Sequence, residues 1–352
     1  MEPFYIKALI ALAPVVVCLV AFERLDAFKL VSFRDIVLLL GAGGALAAVS
    51  YYANGGVMDR FPIILSFQNY SQFVAPFVEE CLKCLPIILL FALNRVGYMI
   101  DAAISGFAVG AGFALVENMF YLHQFAGGNL GVWMVRGLGT GIMHGGASAI
   151  FAVLTMVMYA PRLRASVDRF RWNPLLFMPG LAGAIVLHGA FNHFSDAPAV
   201  AMAVVLGAVP LSLFFIFALG ETYAHRWLAH DHESHTKLLR DIETGAFAES
   251  DAGRALAGLS SRLDEPAAED LHHYVRTNVE LVVKAENTLL ALEEHEKVAL
   301  GAAIREQFHR LHLLERRLGH ALVMAVRQHL KFSRDDLWKM HELEQDGSRK
   351  RL

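Results

Sequence analysis

The chain has 352 residues, of which 55% are hydrophobic and 18% charged, with a mean hydropathy of +0.42. Ordinary soluble domains carry about 25% charged residues, so the composition excludes one. The formal net charge of −3 is too small to indicate nucleic acid or an acidic substrate. Charge is also uneven along the chain. Residues 1–220 are nearly continuous hydrophobic blocks, whereas Glu221 to Leu352 is dense in Glu, Arg, Lys and His. The expected architecture is all-α: a polytopic membrane domain over 1–220, then a cytoplasmic helical tail over 221–352.

Met1 to Phe22 does not read as a cleavable signal, because Glu2 and a single Lys7 make a poor positive leader. It reads as a first membrane helix. A spanning helix needs about 20 mostly apolar residues. Seven stretches qualify: Phe4–Phe22, Asp35–Ala53, Phe73–Leu93, Asp101–Leu122, Trp133–Ala160, Leu175–Phe194 and Ala199–Leu219. Phe61–Ser66 is too short and is expected at the interface. Between the helices, Arg24, Lys29, Arg34, Arg95, Arg162, Arg164, Arg169 and Arg171 fall in alternate loops, and the opposite loops hold Arg60. This asymmetry places the N-terminus outside and the tail inside the cell. Glycines recur in the fourth to sixth stretches, as expected where membrane helices approach closely.

Ionisable groups inside these stretches are the informative residues, since a charge at mid-bilayer costs about 2.5–3.5 kcal/mol on insertion scales. Glu79, Glu80 and Lys83 lie in the third stretch, Glu117 in the fourth, His144 in the fifth, and His188, Asn192 and His193 in the sixth. At about 1.5 Å per residue, Glu79, Glu117 and His188 all lie about 8–9 Å from the outer ends of their helices. His144 lies about 17 Å in, on the longest stretch. The depths predict one site in the outer half of the bilayer. Glu79 and Lys83 are spaced for an ion pair, and His188 and Asn192 share a helix face.

Such groups suit hydrolysis: a carboxylate accepts a proton from water, a histidine relays it, and His or Asn donors hold an oxyanion. They also suit a divalent metal such as zinc, on His144, His188 and Glu80. No HExxH motif is present. Structural readings stand beside these: an ion pair of the Glu79/Glu80 pair with Lys83, a packing hydrogen bond of Glu117 with Asn118 or a neighbour, and a core histidine at His144. His123 and His193 read as interfacial. Cys81 and Cys84 match C-x-x-C within an apolar helix, and with Cys18 they support no disulfide framework.

The tail shows helical periodicity over Leu271–Leu292 and Ile304–Leu330, with Gly301 between them, so a helical hairpin is expected. Lys237–Leu263 reads as two shorter helices. Asp264-Glu265-Pro266 marks a break, and Gln345 to Leu352 is expected to be disordered. His225, His230, His232 and His235 follow the last membrane stretch. They read as a solvated face, with metal binding by His230, Asp231 and His235 as the alternative. The hairpin is a candidate for homo-oligomerisation.

Glu79-Glu80-x-x-Lys83, Phe113-x-x-x-Glu117-Asn118, His144 and His188-x-x-x-Asn192, in this order on successive helices, resemble the PrsW family of intramembrane proteases. The resemblance covers about 73–194. That family is related to the CAAX prenyl endopeptidases and to the CPBP proteins. CAAX enzymes activate water with a glutamate and a histidine, and use a His and an Asn as the oxyanion site. The resemblance therefore implies Glu79 or Glu80 as base and His188 with Asn192 as oxyanion donors. Glu117 stands where CAAX enzymes have a histidine, which leaves His144 as the candidate partner of the base. It further implies a bacterial inner-membrane home and a membrane-protein substrate of the anti-sigma-factor kind. A proton-coupled transporter or channel, and a non-catalytic relative that binds a membrane partner, are the competing readings.

Overall fold

The computed structural model describes residues 3–25, 31–60, 66–125, 127–165, 173–293, 302–330 and 332–348. All regular elements among them are helical. The chain divides into two compact units: Met1–Tyr159 with Trp172–Glu221, and Ala160–Arg171 with Thr222–Leu352.

In the first unit, α1 is Phe4–Leu25, α2 Phe33–Arg60, α3 Ala75–Ala92 and α4 Met99–Gln124. These are followed by α5 (Gly141–Ala165), α6 (Met178–His193) and α7 (Pro198–Thr244). A π-helical turn precedes α3 at Tyr70–Val74, and another precedes α5 at Val135–Thr140. Helix α4 is the centre of the unit, and every residue from Ile100 to Ala114 is buried. Its small residues explain how neighbours reach it from several sides. A Cβ on Gly112 would lie 2.0 Å from the Leu40 carbonyl oxygen of α2, and one on Gly110 would lie 2.1 Å from the His144 carbonyl oxygen of α5. Only hydrogen fits in those spaces, so backbone meets backbone.

The outer surface is apolar. Leu9, Val16 and Val20 of α1, Phe77 and Leu89 of α3, and Val204, Leu211 and Phe214 of α7 are exposed. A hydrophobic exterior over a packed, small-residue interior is the arrangement expected in lipid. Each expected membrane stretch forms a helix. Among the described residues, five are long and apolar enough to cross a membrane: Phe4–Arg24, Phe33–Val57, Met99–Gln124, Leu130–Ala160 and Pro198–Ile216. The other two fall short for identifiable reasons. Helix α3 carries Glu79, Glu80 and Lys83, and α6 has only 16 residues. Of the expected interfacial segment Phe61–Ser66, all but Ser66 lies outside the described residues.

The second unit contains the end of α7, then α8 (Asp251–Ser260), α9 (Glu265–Glu293), α10 (Ala302–Leu318), α11 (His320–His329) and α12 (Arg334–Ser348). Tyr274, Val279 and Val282 of α9 pack with Phe308 and Leu311 of α10, Val326 of α11 and Leu343 of α12. Burial pushes the Tyr274 hydroxyl up to about 12, so it stays protonated. Its oxygen accepts hydrogen bonds from Asn278 Nδ2 at 2.8 Å and Arg327 Nε at 3.0 Å.

Several expectations for the tail are corrected. Helix α7 has 47 residues and runs to Thr244, past the expected end of the last membrane stretch at Leu219. The periodic run Ile304–Leu330 is two helices, interrupted where Gly319 takes φ +78°, a conformation glycine adopts without steric cost. The expected break at Asp264-Glu265-Pro266 is present, since α8 ends at Ser260 and α9 begins at Glu265, with Pro266 in the first turn, where its missing N–H costs nothing. Helix α12 continues through Ser348, against expected disorder from Gln345, because buried Trp338, Met340 and Leu343 anchor it. Gly301 and residues 349–352 lie outside the described residues.

Candidate active site

Helix α3 projects two carboxylates and an ammonium group inward, and α4, α5 and α6 each add a partner. Glu80 and Lys83 are both 1% exposed, and their side chains meet at 2.5 Å. The expected Glu79–Lys83 pair is not formed. On α3 the i,i+3 neighbour Glu80 points toward Lys83, while Glu79 turns to another partner. The Glu79 carboxylate accepts from Asn54 Nδ2 of α2 at 3.1 Å. Asn54 is itself held by the Tyr70 hydroxyl, which donates to its Oδ1 at 2.6 Å.

Two histidines complete the interior. His188 places Nδ1 2.7 Å from Glu80 Oε1 and Nε2 3.8 Å from Glu79 Oε2. His144 places Nε2 3.0 Å from Glu117 Oε2 and Nδ1 2.9 Å from Lys83 Nζ. The two rings meet edge to face, with centroids 4.7 Å apart. Each histidine is therefore backed by a carboxylate on one nitrogen, which fixes the tautomer and turns the other nitrogen inward. Phe113 closes the floor: its ring centroid lies 4.7 Å from Lys83 Nζ and 5.1 Å from that of His144.

Arg136, in the π-helical turn before α5, extends the network. One of its terminal nitrogens lies 3.3 Å from Glu117 Oε1, and its Nε donates to Asn118 Oδ1 at 2.9 Å. The guanidinium also stacks 3.7 Å over the Tyr121 ring. Asn118 donates to the carbonyl oxygens of Ala11 and Arg136 at 2.9 and 3.2 Å, so it clamps α1, α4 and the π turn together. Asn192 donates to the Ser71 carbonyl oxygen at 2.8 Å, tying α6 to the π turn before α3.

Glu79, His144 and His188 each offer one donor atom within 4.8 Å of the others. The metal-ligand set expected from sequence contained Glu80 in place of Glu79. The difference is geometric, because Glu80 already serves the far nitrogen of His188 and Lys83. Two histidines and one glutamate form a donor set used by catalytic zinc. Carboxylates stand behind both histidines, and His188 Nε2 is free to ligate, so these residues fit a metal once His144 Nδ1 exchanges its contact with Lys83 Nζ at 2.9 Å. Glu80, Lys83, His144 and His188 are all buried, while Glu79 and Glu117 keep 12% and 23% of their side chains exposed. The cluster therefore opens on the Glu79 and Glu117 side.

Asn54, Tyr70 and Arg136 were not singled out as site residues from sequence. Arg136 had a legible signal: a lone arginine within an apolar stretch needs a partner. Asn54 had none, since it lies near the end of α2 beside Gly55 and Gly56.

A sequence-family model described as "PrsW family intramembrane metalloprotease" matches residues 33–220. That region is more than half of the chain and includes all four helices that carry the site. The chain belongs to this family and is an integral membrane protein. No curated protein and no solved structure matches it.

Proposed function

We propose that the protein is an endopeptidase that hydrolyses a peptide bond in or beside a membrane-embedded segment of another protein. The observation that carries this reading is the convergence of two carboxylate-backed histidines on Glu79 inside an apolar helical bundle. Glu79 Oε2 and His188 Nε2 are 3.8 Å apart, and one water molecule can hydrogen-bond to both across such a space. Glu79 takes the proton of that water. Glu80 keeps His188 in the required tautomer, and Glu117 does the same for His144. Lys83 holds a positive charge beside Glu80 and His144, where low dielectric strengthens its effect on developing negative charge. Asn192 spends one amide N–H on Ser71 and offers the other to the substrate oxygen.

Glu79, His144 and His188 are the residues that would hold the metal the family description implies. When bound, such a metal supplies Lewis acidity and lowers the pKa of water. The basic loops support an N-terminus outside and a tail inside the cell, with the site opening toward the outer leaflet.

The test is membrane proteomics on cells carrying wild type or Glu80→Gln at equal abundance. A single-pass protein truncated only by wild type is the expected outcome, with cleavage at least a hundredfold lower in the variant. Equal fragment patterns, together with proton flux in liposomes that Glu80→Gln abolishes, would reject the protease and favour a transporter.

A further inference from the structure

A second cluster of metal-ligating side chains lies entirely within the tail unit, on α7, α9 and α12. Its centre is Lys339, which is fully buried and lies 2.9 Å from Glu286 Oε1, 3.0 Å from Asp336 Oδ1 and 3.1 Å from Asp231 Oδ2. Three carboxylates thus share one ammonium group, with His235 as the next basic side chain against Glu286 and Asp336. Burying the surplus negative charge is costly unless a proton on a histidine or a bound cation joins it.

The oxygens that Lys339 does not use point to where that cation belongs. Glu286 is 0% exposed, and its Oε2 has no hydrogen-bond partner among the described residues. His232 Nδ1, also without such a partner, lies 3.7 Å from it. His235 Nε2 lies 3.9 Å from Asp336 Oδ2. Both separations are too long for hydrogen bonds, yet near the roughly 3.4 Å between two ligands of one tetrahedral zinc. The other nitrogen of each ring has a partner. His235 Nδ1 is 2.9 Å from Glu286 Oε1, and His232 Nε2 is 3.4 Å from the Thr236 hydroxyl. With the proton on each of those partnered nitrogens, the inward nitrogens are lone-pair donors. Asp336 Oδ2 also accepts from Ser333 N and Oγ, both at 2.8 Å, which orients the carboxylate.

We propose that the tail binds one divalent transition-metal ion, of the zinc class, through His235, Glu286 and Asp336, with His232 as the outer donor. Each of the first three offers one atom within 4.8 Å of the other two. Imidazole and carboxylate together select zinc-like ions over calcium or magnesium. His232 and Asp231 keep 26% and 24% of their side chains exposed, so the ion has a route from solvent. The ion joins α7 to two helices distant in sequence and locks the tail fold. His230 is exposed and takes no part.

The test uses full-length, tag-free protein in detergent, carrying His144→Ala and His188→Ala so that the membrane donors are disabled. The result is thus independent of any metal in the proposed active site. After chelation and re-addition of zinc, elemental analysis should count one zinc per chain. Adding His235→Asn and Glu286→Gln should weaken binding at least tenfold. A cobalt(II) absorption band in the first variant needs no tail substitution and guards against misfolding of the second. Absence of that band, or equal zinc binding with and without the tail substitutions, overturns the proposal.

Discussion

Lys83 is the residue on which the interior of the site depends. It touches Glu80 and His144 and is 1% exposed. Replacing it by methionine leaves Glu80 buried without its cation. The expected loss is about 3–5 kcal/mol, read as a lower midpoint of thermal unfolding in micelles. Lys83→Met combined with Glu80→Gln should regain most of that stability while remaining inactive. A single variant as stable as wild type would show that Lys83 is not the counter-charge of Glu80. In the tail, Tyr274→Phe removes the shared acceptor of Asn278 and Arg327. It should cost about 1–3 kcal/mol, while Arg327 retains Glu315 at 2.6 Å. At this scale the sequence was informative about residue type and poor about pairing. Glu79, Glu80, Glu117, His144 and His188 stand out because ionisable groups in lipid are expensive. Which glutamate meets Lys83 follows from helix rotation and from competition by Asn54, neither of which spacing alone resolves.

Among the helices, the decisive contact is α4 against α5. A methyl group at Gly110 would collide with the carbonyl of His144 itself. Gly110→Val should therefore push α5 outward, cost about 1–3 kcal/mol by overpacking and reduce cleavage more than tenfold. Gly207→Ala on α7 is the matched control. Nothing lies within 4 Å of its added carbon, so stability and cleavage should hold. Equal damage from both substitutions would remove the close approach as the cause. Apolar runs made the helices of the first unit legible, five of them long and apolar enough to cross a membrane among the described residues, and the small residues marked α4 as a close-packed element. The continuity of α7 was not legible, because its polar second half looked like the start of a different region. Helices need no change of backbone where their surroundings change from apolar to polar. Gly319, in contrast, ended a run whose apolar periodicity continued beyond it.

The whole chain combines a family-defined membrane unit with a tail of separate core. Chelation of the purified protein should abolish cleavage, and zinc should restore it, if Glu79, His144 and His188 hold a metal. Cleavage that persists after complete removal would leave the Glu79 and His188 pair to activate water alone. The four motifs found in the sequence lie within the region that matches the family, which is why the membrane site was recognisable. The tail is not covered by that match, and its ionic cluster draws on residues 231–339. Such a grouping becomes visible only when α7, α9 and α12 are folded together.

The two π-helical turns, Tyr70–Val74 and Val135–Thr140, have a historical implication. A π turn is an α-helix that has taken in one additional residue. One lies directly before the helix of Glu79 and Glu80, and the other carries Arg136 toward Glu117. Relatives whose helices lack the turn should align with a single-residue gap at these places, and should lack the Asn192–Ser71 or Arg136–Glu117 contact accordingly. An insertion at either place would rotate the residues that follow it by about 100°, which is how one residue can re-aim a whole helix face.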